Sequence, residues 1–121
     1  MNKHQMKTLQ DMTDRELLEL AAKAAGIELR WHPDGTAYSD SRCKGYWGIW
    51  NPLTDNGDAL WLAATLGIDI EWRADGRVAA YRHANANGYC FTAFESSRED
   101  RAANVRRAIV RAAAEIGRSM K

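Results

Sequence analysis

The chain predicts one small α+β domain, with three helices packed on a mostly antiparallel sheet that ends in a three-strand meander. Three observations predict it. Its 121 residues match the size of one domain. Three segments carry apolar residues at helical spacing behind a capping residue. Between them lie short alternating stretches parted by Pro, Asn, Asp and Gly turns, and strands joined by tight turns pair antiparallel by default. Residues 1–12 are polar with scattered Met and Leu, and are expected to form a flexible N-terminus ahead of a domain spanning 13–121.

The first helix opens at the capping box Thr13-Asp14-Arg15-Glu16. There the hydroxyl and the carboxylate each satisfy a backbone N–H of the other end. Leu17, Leu20, Ala21 and Ala24 form its stripe, and Gly26 stops it. Ile27–Trp31 alternates as a strand, Pro33-Asp34-Gly35 turns, and Thr36–Ser39 reads as a short second strand. Residues 40–53 read as a loop leading into a short strand near Tyr46–Trp50, broken at Asn51-Pro52 because the residue before proline avoids helical ψ.

Thr54 or Asp55 caps the second helix, with Ala59, Leu62, Ala63 and Leu66 as its stripe and Gly67 as its stop. Ile68–Arg73, Arg77–His83 and Tyr89–Glu95 are the meander strands, turned at Ala74-Asp75-Gly76 and Asn85-Ala86-Asn87-Gly88. Tyr89, Phe91 and Ala93 fall on one face of the third strand. The last helix starts at Ser96 or Ser97, carries Glu99 and Asp100 in its first turn, and runs to about Gly117. Its core face is Ala102, Val105, Ile109, Ala112 and Ile116.

Composition narrows the function classes. The chain is 45% hydrophobic and 27% charged, the balance of a globular protein, and its net charge of +1 exerts no overall pull on nucleic acid or anionic membrane. Two cysteines make neither a disulfide scaffold nor a four-thiolate zinc site, and both Cys43 and Cys90 are expected as small, partly buried, reduced thiols, the alternative being a single disulfide between them. No apolar run reaches the length of a membrane span, and none follows the basic start as a secretory signal would, so a cytoplasmic location is expected.

Catalytic and cofactor chemistry is not expected. There is no glycine-rich phosphate loop, since Asn56-Gly57-Asp58 places acids beside its one glycine. His4, His32 and His83 have no second ligand at metal spacing, although His83 and Cys90 flank a turn and can approach each other. Asp55, Asp58, Asp69, Glu71 and Asp75 are expected as helix-capping and solvated strand-face acids, the alternative being paired carboxylates for hydrolysis or a divalent cation site. No cofactor, metal or catalytic residue is assigned.

Trp50-Asn51-Pro52-Leu53-Thr54-Asp55-Asn56-Gly57-Asp58-Ala59-Leu60, the ending 105–117 and Thr13-Asp14-Arg15-Glu16-Leu17-Leu18 together carry a resemblance. They resemble small uncharacterised proteins of tailed bacteriophages and prophages, the NinX-like "phage ABA sandwich" group, over residues 13–117. The shared features are the N-P-x-T/S-D element before a helix and the Ala/Arg-rich final helix. Residues 36–48 match nothing in that pattern. The resemblance implies an α-β-α layered fold and a phage or prophage origin, and it carries over no catalytic residue.

Two surface features suggest partners. Residues 51–75 hold five acids and one base, and residues 98–121 hold seven bases and three acids, so a near-neutral total hides two opposed charged regions. Arg107, Arg111 and Arg118 fall within about 40° of one another, opposite the core face. The chain is also rich in tryptophan, with five in 121 residues. Trp72 alternates with Ile68 and Ile70 and is expected to face the sheet core, while Trp31 and Trp50 are expected buried or half-buried. Trp61 lies about 200° from Ala59 around its helix, so it either packs under the 40–50 loop or stands exposed.

The expected function is therefore that of a non-enzymatic phage or prophage accessory protein in the bacterial host cytoplasm. It would bind a host protein or ribonucleoprotein, most concretely as an anti-CRISPR-like, anti-defence inhibitor. Trp61, Tyr46 and Trp47 would be its apolar anchors, and Arg107, Arg111 and Arg118 its charged contacts. A homodimer through Trp61 is a further possibility. The alternative is a nucleic-acid-binding accessory protein that uses the Arg face of the final helix.

Overall fold

The computed structural model describes residues 8–74, 76–83, 90–95 and 100–120. After a short 3-10 turn at Leu9–Asp11, helix α1 spans Asp14–Ala25. Its capping box is complete: the Thr13 hydroxyl accepts from the Glu16 N–H at 3.1 Å, and Glu16 accepts from the Thr13 N–H at 3.0 Å. Gly26, at φ 72°, takes the left-handed conformation that ends the helix.

Strands β1 (Arg30–Trp31), β2 (Ala37–Ser39) and β3 (Gly48–Ile49) form one antiparallel sheet in that order. The β1–β2 turn is held by Asp34, whose carboxylate accepts from the Thr36 N–H at 2.9 Å. The backbone and side-chain hydrogen bonds from Thr36 hold that carboxyl below its ordinary value. Helix α2 (Asn56–Leu66) follows, capped by Asp55 and closed by Gly67. Strands β4 (Asp69–Trp72), β5 (Val78–His83) and β6 (Cys90–Glu95) form a second antiparallel sheet, ordered β4-β5-β6. The domain is α+β as expected, but it holds two small sheets in place of one, and each strand of the first is shorter than its alternating stretch.

Helix α3 spans Arg101–Ser119. Its cap is Asp100, whose side chain accepts from the Ala103 N–H at 2.9 Å. This corrects the expected start at Ser96 or Ser97; those two residues, with Glu99, lie outside the described residues. So do Asp75, the turn at Asn85–Gly88, and Tyr89, and the facing of Phe91 and Ala93 is likewise not described.

α3 touches α1, α2, β5 and β6, which makes it the centre of the domain. Ala108, Ile109, Val110, Ala112, Ala113, Ala114, Ile116 and Gly117 are all buried, more than one stripe of the helix. Of its expected core face, Val105 is only partly buried and Ala102 is exposed, because both line an open groove. α1 lies alongside in the same direction, since Asp14 meets Arg107, Leu20 meets Gly117, and the Lys23 ammonium donates to the Met120 carbonyl at 3.0 Å.

Gly117 is the tightest point. A Cβ built there would stand 2.0 Å from the Leu20 carbonyl oxygen and 2.9 Å from its carbon. The sequence suggests a helix stop at this glycine, but the helix continues through it, and the residue is small so that two backbones can meet. Gly117→Ala is expected to cost about 3 kcal/mol or more, because backbone and not a flexible side chain must move. Gly48→Ala, whose added Cβ meets nothing within 4 Å, should stay within about 0.5 kcal/mol of the parent. Urea denaturation of the two variants checks both values.

Candidate interaction site

The site is organised by the start of α2. Asp55 caps the helix, accepting from the Asp58 N–H at 2.7 Å. Asp58 is only 2% exposed, so it is not the solvated acid that the sequence suggests. Its carboxylate accepts from the Asn51 N–H at 2.9 Å and is ion-paired with Arg42, which also reaches Asp55 at 3.2 Å. The Asn51 side chain in turn accepts from the Leu53 N–H at 2.9 Å. From the other side, Arg106 of α3 donates to the Leu53 carbonyl at 2.8 Å and to the Asn56 side chain at 2.7 Å. The Asn-Pro-Leu-Thr-Asp element is thus a polar knot joining the 40–50 loop, α2 and α3.

With α2 fixed, its next turn leaves Leu60 outward, 66% exposed. Leu60, Asn56 and Ala59 form one wall of a groove of about 350 Å³, Ile70 and Trp72 of β4 a second, and Ala102, Val105, Arg106 and Ile109 of α3 a third. Trp72 is 57% exposed, which corrects the expectation that it faces the sheet core. It does lie on the face of Ile70, but there it lines the open groove between α2 and α3. The groove is therefore apolar, open, and rimmed by an arginine whose guanidinium is already held.

A second opening, of about 400 Å³, lies at β3 between Ser39, Ser41, Arg42, Tyr46, Gly48, Ile49 and Trp50. Tyr46 and Ile49 are exposed there at 76% and 62%. Trp50 is buried, as expected, and Trp31 is half-buried beneath the Arg15 guanidinium at 4.3 Å.

The residues singled out by sequence divide. Tyr46 is an exposed aromatic. Trp47 is half-buried, with the Arg30 guanidinium 3.8 Å above its ring. Trp61 is half-buried against the core, and the exposed large hydrophobic residue of that helix is its neighbour Leu60. Arg107 lies 3.7 Å from Asp14, Arg118 bonds Glu115 at 2.5 Å, and Arg111 is half-buried, so the three do not form one bare cationic stripe. Cys43 is a free, exposed thiol, against the expectation of partial burial. The strand register places His83 opposite Cys90. Among the described residues, no three His, Cys, Asp or Glu side chains gather as a metal site, and no helix is long and apolar enough to cross a membrane. No family model and no curated protein matches the chain.

Sequence reasoning missed Leu60, Asp58 and Arg106. Asp58 had a signal: it stands one turn before Leu62 on the buried stripe, where an acid needs a partner. Asp58→Ala is expected to destabilise the fold by about 2–3 kcal/mol, since it leaves the Asn51 N–H without its acceptor and removes the carboxylate that ties Arg42 to the start of α2. Arg42→Ala should cost about 2 kcal/mol or more, because it leaves the buried Asp58 carboxylate without its ion pair and with the Asn51 bond alone. Chemical denaturation ranks the two.

Proposed function

We propose that the chain is a non-enzymatic accessory protein of phage or prophage origin that binds a host protein or ribonucleoprotein. Its concrete form is an anti-CRISPR-like, anti-defence inhibitor in the host cytoplasm. The phage setting rests on the resemblance of the Asn51–Asp55 element and the final helix. The binding reading rests on one observation: Leu60 and Trp72 stand in solvent on two walls of a single apolar groove. Covering a side chain of that size contributes about 1.5–3 kcal/mol, and aromatic residues set in pockets are the usual anchors of an interface. Tyr46, beside Ile49, is a second anchor. Trp47 and Trp61 act through packing. Arg107, Arg111 and Arg118, engaged as they are, serve at most as a charged rim that sets encounter rate.

The test is a pull-down with the tagged protein from a defence-competent bacterium, with and without nuclease, repeated with Leu60→Asp and Trp72→Ala. A stoichiometric protein that survives nuclease and is lost from both variants is the expected result, with thermal unfolding of the variants close to the parent because both side chains are exposed. Equal recovery by the variants would remove the groove from the account. Nucleic acid recovered in a form that nuclease abolishes, and weakened by Arg107→Ala with Arg111→Ala and Arg118→Ala, would favour the nucleic-acid-binding alternative.

A further inference from the structure

One wall of the groove is an open strand. Among the described residues β4 hydrogen-bonds to β5 alone, so its other edge presents backbone N–H and C=O groups to which a further strand can bond. Its side chains alternate. Ile70 and Trp72 turn toward the helices and line the groove with Leu60, Ala59 and Val105. Asp69 and Glu71 stand exposed on the opposite face. Any strand laid beside β4 alternates likewise, with one set of side chains entering the groove and the other standing beside the two carboxylates.

We infer that β4 receives an extended segment of a partner protein in which apolar residues alternate with lysine or arginine. This rests on the groove being the contact surface. Charge complementarity selects the occupant. A second copy of the chain paired β4 to β4 sets the Asp69 and Glu71 carboxylates of one copy against those of the other, and like charges directly opposite destabilise a ladder. The same acids guard the bare edge against self-association while leaving it open to a basic strand. Glu71 bonds Arg73 at 3.1 Å, but both side chains are more than a third exposed, so that pair is screened and exchangeable. Arg106, on the far wall, is held by Leu53 and Asn56 and does not oppose an apolar side chain entering the groove.

The probe is a labelled peptide of alternating lysine and valine, titrated onto the full chain with fluorescence anisotropy and with the amide resonances of β4 as readouts. Controls are a peptide of the same composition with its lysines and valines in separate blocks, an alternating glutamate–valine peptide, and the lysine–valine peptide N-methylated at alternate amides along each edge in turn. The alternating basic peptide is expected to bind with a dissociation constant below about 1 mM and to shift the β4 amides. Binding should weaken about tenfold or more with Leu60→Asp, with Asp69→Lys plus Glu71→Lys, and with each control except the peptide methylated on its unbound edge. Equal binding of the block peptide, equal binding of both methylated peptides, or no binding of the alternating peptide overturns strand addition. If strand addition fails while the lysate partner still depends on Leu60 and Trp72, the groove reading survives alone. If that dependence is absent too, both fall.

Discussion

At Gly117 the backbone of α3 lies against the backbone of α1 so closely that one added methyl would stand 2.0 Å from the Leu20 carbonyl oxygen. That approach needs small residues for two turns around it, and the chain supplies Ala113 and Ala114 on α3 with Ala21 and Ala24 on α1. Two helices this close run as one unit. Their parallel direction sets like dipole ends side by side, an arrangement that Asp14 beside Arg107 and Lys23 on the Met120 carbonyl offset at either end. Because α3 is then enclosed by α1, α2 and the second sheet, its arginines have no wide free face. They reach sideways, Arg107 to α1 and Arg106 to the start of α2.

Arg106 links this packing to the site. Together with Arg42 it holds the Asn51–Asp58 segment from two sides, and Pro52 within that segment is fully buried. A buried carboxylate costs heavily unless it is paired and hydrogen-bonded. Asp58 has both an ion pair and a backbone donor, so the start of α2 has one favourable position relative to α3. The outward placement of Leu60 follows from that position, and with Trp72 at the end of β4 it leaves a groove between α2, β4 and α3.

Much of this order is legible in the sequence where the interactions are local. The Thr13–Glu16 box, the Asp55 cap, the stops at Gly26 and Gly67 and the buried stripe of α2 are all decided within a few residues, and the structure carries each of them. What is not legible depends on distant partners. Ala59 to Ala64 are all apolar, so periodicity does not choose whether Leu60 or Trp61 meets solvent. Trp72 has the alternation of a core residue, yet its exposure is set by the open groove that the packing leaves between α2 and α3. Arg42 lies 16 residues from Asp58 and Arg106 lies 50 from Asn56, and nothing in the intervening sequence announces either contact. Gly117 reads as a stop because a glycine near a helix end is more often a cap than a contact.

The account's central claim is that the groove between α2, β4 and α3 is the surface through which this protein works. It is tested most directly by placing a photo-crosslinking amino acid at position 60, and separately at position 118, in the protein expressed inside a defence-competent bacterium. The account predicts one discrete protein adduct from position 60 and none of comparable yield from position 118. Adducts from position 118 alone, or nucleic acid captured there with nothing at position 60, would contradict it.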